Sequence, residues 1–256
     1  MSNQRWKQEF IKIGKLDQFQ SFMNKEDGFI WQREIRKWKI KPLTKEEFIK
    51  NVLGIDIKYS YHLNAGTAVH QIIQKGDFLS RTMNRTEFIP VDMGERTWEI
   101  SKSIDTSNII IPTHDCEQWL NPITIHSIKI CGKYDCKDEN RIYDIKTSKN
   151  MDVAKFKNSF QWRFYLLMSG LNDFTYNLFT MQYDESQARD NDGMKKLNSN
   201  KLMITNYYQL DLTRENDLEK KCSDAVKSFS DFLEENKQLI KTIADKHGIT
   251  LKYFEE

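Results

Sequence analysis

Cysteine is scarce in this chain and unpatterned. Cys116, Cys131, Cys136 and Cys222 are its only four, and no Cys-x-x-Cys occurs. That argues against zinc and iron–sulfur centres and against a disulfide framework, and reduced thiols are expected. No apolar run approaches membrane-spanning length, so no transmembrane helix is expected and no membrane partner. The opening Met1-Ser-Asn-Gln-Arg-Trp6 has no apolar h-region, which predicts a soluble, unexported protein, cytoplasmic or otherwise intracellular, a phage-encoded one included. A Gly-x-x-x-x-Gly-Lys-Ser/Thr loop is missing, so any nucleotide-driven motor would be a separate chain. Proline and glycine number 4 and 10, and they form no linker. With 39 basic against 37 acidic residues, net charge alone points to no partner.

What is present fits one domain with appendages. The chain has 256 residues, 12% of them aromatic, enough for a buried core. Residues 1–58 read as a helical N-terminal region, with Phe19, Phe22 and Met23 at helical spacing. Within it, residues 29–41 combine Trp31 and Trp38 with five basic side chains. They read either as an amphipathic helix with solvated charges or as a nucleic-acid contact surface. Residues 59–256 form the main domain. A helix is predicted over 65–75, ended by Gly76, and short strands over 97–101 and 108–111. A hairpin follows at 127–147, then a helix at 153–169 ended by Gly170. Strands are expected at 174–182 and 203–212 around a mobile loop at 184–201. Thr213 would cap a long C-terminal helix with an apolar stripe from Leu218 to Ile243. The order predicts an α/β fold, a mixed β-sheet core flanked by helices.

The hairpin carries the chemistry. Around a turn at Lys137–Asn140, the expected register pairs Cys136 with Arg141, Asp135 with Ile142 and Lys133 with Asp144. Alternation then puts Asp135, Asp144 and Lys146 on one face, the two carboxylates diagonal and roughly 7–8 Å apart at the backbone. Two carboxylates and an ammonium suit a hard cation and metal-assisted phosphodiester cleavage. The surrounding Ile128, Ile130, Tyr134, Ile142, Tyr143 and Ile145 predict buried strands, where unpaired charge is costly. Lys133 opposite Asp144 is the structural alternative, a simple neutralising pair. Arg141, Lys146, Lys149, Lys155, Lys157 and Arg163 place positive charge beside the site, against Asp144 and Asp152.

Gly132-Lys-Tyr-Asp135 followed by Ile142-Tyr-Asp144-Ile-Lys146-Thr147 resembles the core hairpin of the PD-(D/E)XK nuclease superfamily, in its RecB-like and lambda-exonuclease-like branch. Gly66-Thr-Ala-Val-His70 upstream and Gln161-Trp-Arg-Phe-Tyr165 downstream look like that branch's two satellite motifs. The resemblance covers about residues 60–235. It implies a restriction-endonuclease-like fold. It also implies Asp135 and Asp144 as ligands of Mg²⁺ or Mn²⁺, with the Ile145 carbonyl and His70 completing the shell. Lys146 would act on the attacking water, Gln161 and Tyr165 would brace the site and substrate, and Glu117 would stand in an outer shell or at a second metal. Nucleic-acid contacts are expected from Lys149, Lys155, Lys157, Arg163 and Tyr165.

The implied activity is a metal-dependent DNA exonuclease of recombination, repair or phage DNA metabolism, acting alone, as a homo-oligomer, or with a separate helicase or recombination partner. Two other readings stay open: an endonuclease of restriction or defence type, with specificity in 81–125 or 184–201, and a non-catalytic nucleic-acid-binding protein on the same fold. The middle carboxylate here is Asp144 where many members carry Glu.

Overall fold

A computed structural model describes residues 11–24, 27–32, 37–42, 44–55, 61–75, 77–81, 83, 87–94, 96–109, 111–112, 115–183, 187–189, 195–197 and 200–249. Its centre is a mixed six-stranded sheet in the order β4-β5-β13-β10-β9-β8. These strands are β4 (Ile89–Asp92), β5 (Thr97–Lys102), β8 (Cys136–Lys137), β9 (Arg141–Ser148), β10 (Asp173–Tyr183) and β13 (Lys201–Thr213). β9 runs parallel to β10, and β10 antiparallel to β13. A three-stranded sheet joins β1 (Ile11–Lys12), β7 (Ile128–Cys131) and β6 (Ile123–Ile125).

Helices cover both faces. On one lie α1 (Ile13–Met23), α5 (Val153–Asn158), α6 (Gln161–Ser169), α7 (Leu218–Glu235) and α8 (Lys237–Lys246). Leu16, Phe19, Ile142, Trp162, Phe174, Tyr176 and Phe229 share one core there. On the other, α3 (Tyr61–Gln74) and α4 (Asp77–Ser80) cover a second core of Ala65, Val69, Ile100, Ile145, Phe179 and Ile204. Alternation along β9 divides Ile142 from Ile145 between these cores. Phe19 packs edge-on to Phe229 at 5.2 Å, so α1 belongs to the same core as the C-terminal helix α7.

Several expected elements are corrected. The described residues of 29–41 are strands and not helix: β2 (Asp27–Gln32) pairs antiparallel with β3 (Lys37–Pro42), as the strict alternation Lys37-Trp-Lys-Ile-Lys41 favours. The side chains of that patch, and Gly76, lie outside the described residues. After β3 comes α2 (Lys45–Leu53), closed at its start by a Thr44–Glu47 capping box. The described residues of 108–111 are not in a strand; just before them Asp105 Oδ1 takes the Ser107 N–H and starts a turn. The outer neighbour of β5 is β4, not expected from the sequence, whose Pro90 is tolerated because the strand is an edge.

The 153–169 helix is two helices, because Ser159 is extended (ψ 153°) between α5 and α6; Gly170 ends α6 at φ 74° as expected. The 184–201 loop contains a small hairpin, β11 (Gln187–Arg189) with β12 (Lys195–Leu197). Thr213 ends β13 instead of capping a helix. The C-terminal helix breaks at Asn236, whose side-chain amide bonds the Phe232 carbonyl. Ile240 rather than Leu239 then faces the core. No helix among the described residues is long and apolar enough to cross a membrane.

Candidate active site

The hairpin is shorter and shifted by two residues from its expected register. Cys136 pairs with Tyr143 and Lys137 with Ile142, while Ile128 and Ile130 belong to the second sheet. The turn residue Asp138 fixes this register, its Oδ1 accepting from the Asn140 and Arg141 N–H groups at 2.9 and 2.8 Å. A shift of two preserves side-chain parity, so Asp135, Asp144 and Lys146 still gather at one place. Asp135 stands beside Asp144 instead of diagonal to it. The neutralising role considered for Lys133 does not arise, because its ammonium pairs with Glu117.

β8 begins only at Cys136, opposite Tyr143, and among the described residues β9 continues beyond that point with no strand on this edge. Asp135 fills the gap: its Oδ2 accepts the Ile145 N–H at 2.7 Å. The N–H and C=O of one strand residue point to the same edge, so the Ile145 carbonyl faces this opening too. His70 Nδ1, from α3, lies 3.5 Å from the same Asp135 oxygen. α3 can approach this closely because Gly66, one turn before His70, has no side chain; a Cβ there would sit 2.9 Å from Thr147 Oγ1.

Asp144 is 1% exposed, under α6. Its Oδ1 accepts from Gln161 Nε2 at 3.3 Å, and the same amide lies 3.3 Å from the Tyr165 hydroxyl. Tyr165 donates to the Lys133 carbonyl at 2.7 Å, tying α6 to the segment that leads into Asp135. Lys146 Nζ stands 2.5 Å from Asp144 Oδ2. Among the described residues this buried oxygen has no other partner.

Burial, with Asp135 adding, pushes the Asp144 carboxyl up to about 6 against the pull of Lys146. Burial likewise raises Asp135. It would lower Lys146, but the Asp144 and Asp135 carboxylates more than offset that and raise it. Burial first, then Lys146, brings His70 down to about 4, leaving a neutral imidazole at pH 7.

Glu117 borders the cluster. Its N–H donates to the Asp135 carbonyl at 2.9 Å, and its carboxylate takes Gln74 at 3.1 Å and the Lys133 ammonium. Arg163 points away from Asp144 into a bidentate pair with Glu215, both bonds 2.9 Å, and its third nitrogen reaches the Asn158 and Ser159 carbonyls. Lys149, Lys155 and Lys157 are exposed beyond the end of β9 and on α5.

Sequence reasoning missed Asp17 and Tyr176. Tyr176 lies opposite Asp144 on β10, with its ring 5.9 Å from Lys146 Nζ. Asp17 accepts from the Phe160 N–H beside Gln161. The available signal was an acid set among Ile13, Leu16 and Phe19 in an apolar stripe.

The donor set is of the type a hard divalent ion takes: two carboxylates, one with an oxygen partnered by the Lys146 ammonium alone, a neutral imidazole and a peptide carbonyl facing an open edge. Among the described residues, no three His, Cys, Asp or Glu side chains already converge on one ligating point.

No family model matches the chain, and no curated protein matches it. Among solved structures, it is similar to an alkaline exonuclease, LHK-Exo from Laribacter hongkongensis, with 12% identity and a TM-score of 0.42, over 95% of this chain and 96% of that one. LHK-Exo in complex with dAMP gives the same identity and score over 95% of each. SSO0001 is similar at 16% identity and a TM-score of 0.29; the match takes in 44% of this chain and spans under half, 46%, of that one. At these scores the likenesses carry no argument about chemistry, which rests on the residues themselves.

Proposed function

We propose that this chain is a metal-dependent nuclease that hydrolyses DNA phosphodiester bonds, most simply as an exonuclease. The observation that carries the reading is the Lys146 ammonium held against the desolvated Asp144 carboxylate, with Asp135 and His70 at the unpaired edge of β9. Asp135, Asp144, His70 and the Ile145 carbonyl would hold Mg²⁺ or Mn²⁺, the imidazole favouring Mn²⁺. When bound, the ion would lower the pKa of a water and polarise a phosphoryl oxygen.

The remaining work falls to the chain. Lys146 orients that water and offsets charge developing on the phosphate. Gln161 holds Asp144, and Tyr165 ties α6 to the Asp135 segment, so the carboxylates keep their spacing. Lys149, Lys155 and Lys157 supply the positive flank for a phosphate backbone; Tyr165, buried and bonded to the Lys133 carbonyl, and Arg163, paired with Glu215, do not. Glu117 anchors the Asp135 backbone from outside the donor set.

The test is hydrolysis of end-labelled linear, covalently closed and single-stranded DNA with Mg²⁺, Mn²⁺ or chelator. Release of nucleotides from linear DNA alone supports the exonuclease reading. Cleavage of closed circles replaces it with an endonuclease. Binding without cleavage in either metal overturns the enzymatic reading.

A further inference from the structure

α6 begins without a cap of its own. Phe160, before its first residue, already has helical backbone angles and supplies no side-chain acceptor. The first N–H groups of a helix need partners, and an unpaired buried one is costly. Here the acceptor comes from a different helix, 143 residues away in sequence: Asp17 Oδ1 takes the Phe160 N–H at 2.5 Å. The Gln161 backbone also stabilises this carboxylate, and Lys146 attracts it. Burial nevertheless raises Asp17 to about 6, so the acid sits there against its solvation preference. Asp17 and Gln161 share the wall of an open groove of about 990 Å³ between α1, α5 and α7.

The residue thus held is the one that touches the site. Gln161 is the first residue of α6, and its amide bridges Asp144 and Tyr165. We infer that Asp17 is a positioning residue: by accepting the Phe160 N–H it fixes the first turn of α6, and with it the Gln161 amide against Asp144. The role in turnover rests on the nuclease reading above; the anchoring of α6 does not.

Two measurements separate these. The first is amide hydrogen exchange at Phe160 and Gln161 in the full chain. Asp17→Ala should speed it roughly tenfold, the scale of a lost helix cap, whereas Asp17→Asn, which keeps an oxygen in place, should leave it near wild type. Unchanged exchange in Asp17→Ala overturns the inference whether or not the protein is a nuclease.

The second is steady-state hydrolysis with Mn²⁺. Asp17→Ala should lower kcat roughly tenfold with little change in KM, and Asp17→Asn should restore it to within about threefold. Asp17→Glu, which keeps the charge but moves the oxygen by a methylene, should behave like the alanine variant and serves if that variant does not fold. The double variant Asp17→Ala/Gln161→Ala should be no slower than Gln161→Ala alone, because both act through one amide. Additive losses, or a loss in Asp17→Asn as large as in Asp17→Ala, would overturn the positioning role. Wild-type protein inert on every DNA substrate would instead overturn the nuclease reading.

Discussion

Asp135 and Ile145 are joined by a hydrogen bond that a sheet ordinarily makes between two backbones: the Ile145 N–H donates to the Asp135 carboxylate at 2.7 Å. One carboxylate, just ahead of the strand's first residue, thereby satisfies its neighbour's edge and faces His70. The opening is there because β8 starts no earlier than Cys136.

Removing the ammonium should separate binding from turnover. Lys146→Ala is expected to keep metal affinity close to wild type and to lower hydrolysis roughly 10²- to 10³-fold, since Lys146 is not a ligand and acts on charge that develops during reaction. Calorimetric titration with Mn²⁺ alongside a cleavage assay checks this, and wild-type cleavage would refute the assignment.

Metal should stabilise the fold through the same carboxylates. At Mn²⁺ about 100-fold above its dissociation constant, a site binding only folded protein adds about 2.7 kcal/mol. Thermal melts should therefore shift upward with Mn²⁺ in the wild type and hardly at all in Asp144→Ala or Asp135→Ala, and chelator should abolish cleavage.

Salt should weaken DNA binding through the exposed lysines. Lys149→Ala, at the exit of β9, should weaken all sequences alike and lower the log–log salt slope by roughly 0.7–0.9, as one lost phosphate contact requires. Lys155→Ala and Lys157→Ala should act similarly. Fluorescence anisotropy over a salt series reads the slope, and an unchanged one moves the DNA path elsewhere.

Gly132 is packed without room for a side chain. A Cβ would lie 2.7 Å from Tyr165 Cε1 and closer still to Ile13 Cδ1. Gly132→Ala should destabilise by about 1–3 kcal/mol in urea unfolding and displace the Tyr165 ring, lowering turnover as well.

The Arg163–Glu215 pair should give stability a defined pH dependence. Arg163, joined by Lys221, holds the Glu215 carboxyl down to about 2 from an ordinary 4.5. A depressed carboxyl contributes stability fully above its unfolded value and loses it as pH falls through the folded one. Glu215→Gln should thus cost about 1–3 kcal/mol at pH 7. The gap between variant and wild type should narrow steadily from pH 4.5 towards 2, as read by denaturant titration.

The sequence exposed this site unevenly. Asp144 and Lys146 were legible because a strand's period of two puts them on one face whatever its partner. The predicted register was wrong by two, and only its parity survived, since Asp138 sets the turn through backbone bonds that hydrophobic pattern does not reveal. Gln161 and Tyr165 were legible as one helical turn, although the break at Ser159 was not: Phe156, Phe160 and Phe164 keep helical spacing across it. Asp17 reaches α6, and Lys133 reaches Glu117, only in the folded chain. The β2–β3 pair was misread for the opposite reason, because the charged residues drew attention from an alternation visible in Lys37–Lys41.

β9 is paired in parallel with β10 from Arg141 to Ser148, with apolar side chains anchoring it in both cores. A single residue inserted between Ile142 and Asp144 would turn Ile145 towards the cleft and push a carboxylate into the apolar layer beneath α3. The same insertion at Glu139 would disturb the Asp138 turn but leave β9 in register with β10. Chain length is therefore constrained very differently a few residues apart, and any lineage of this protein can vary the tip of the hairpin while its shaft keeps count.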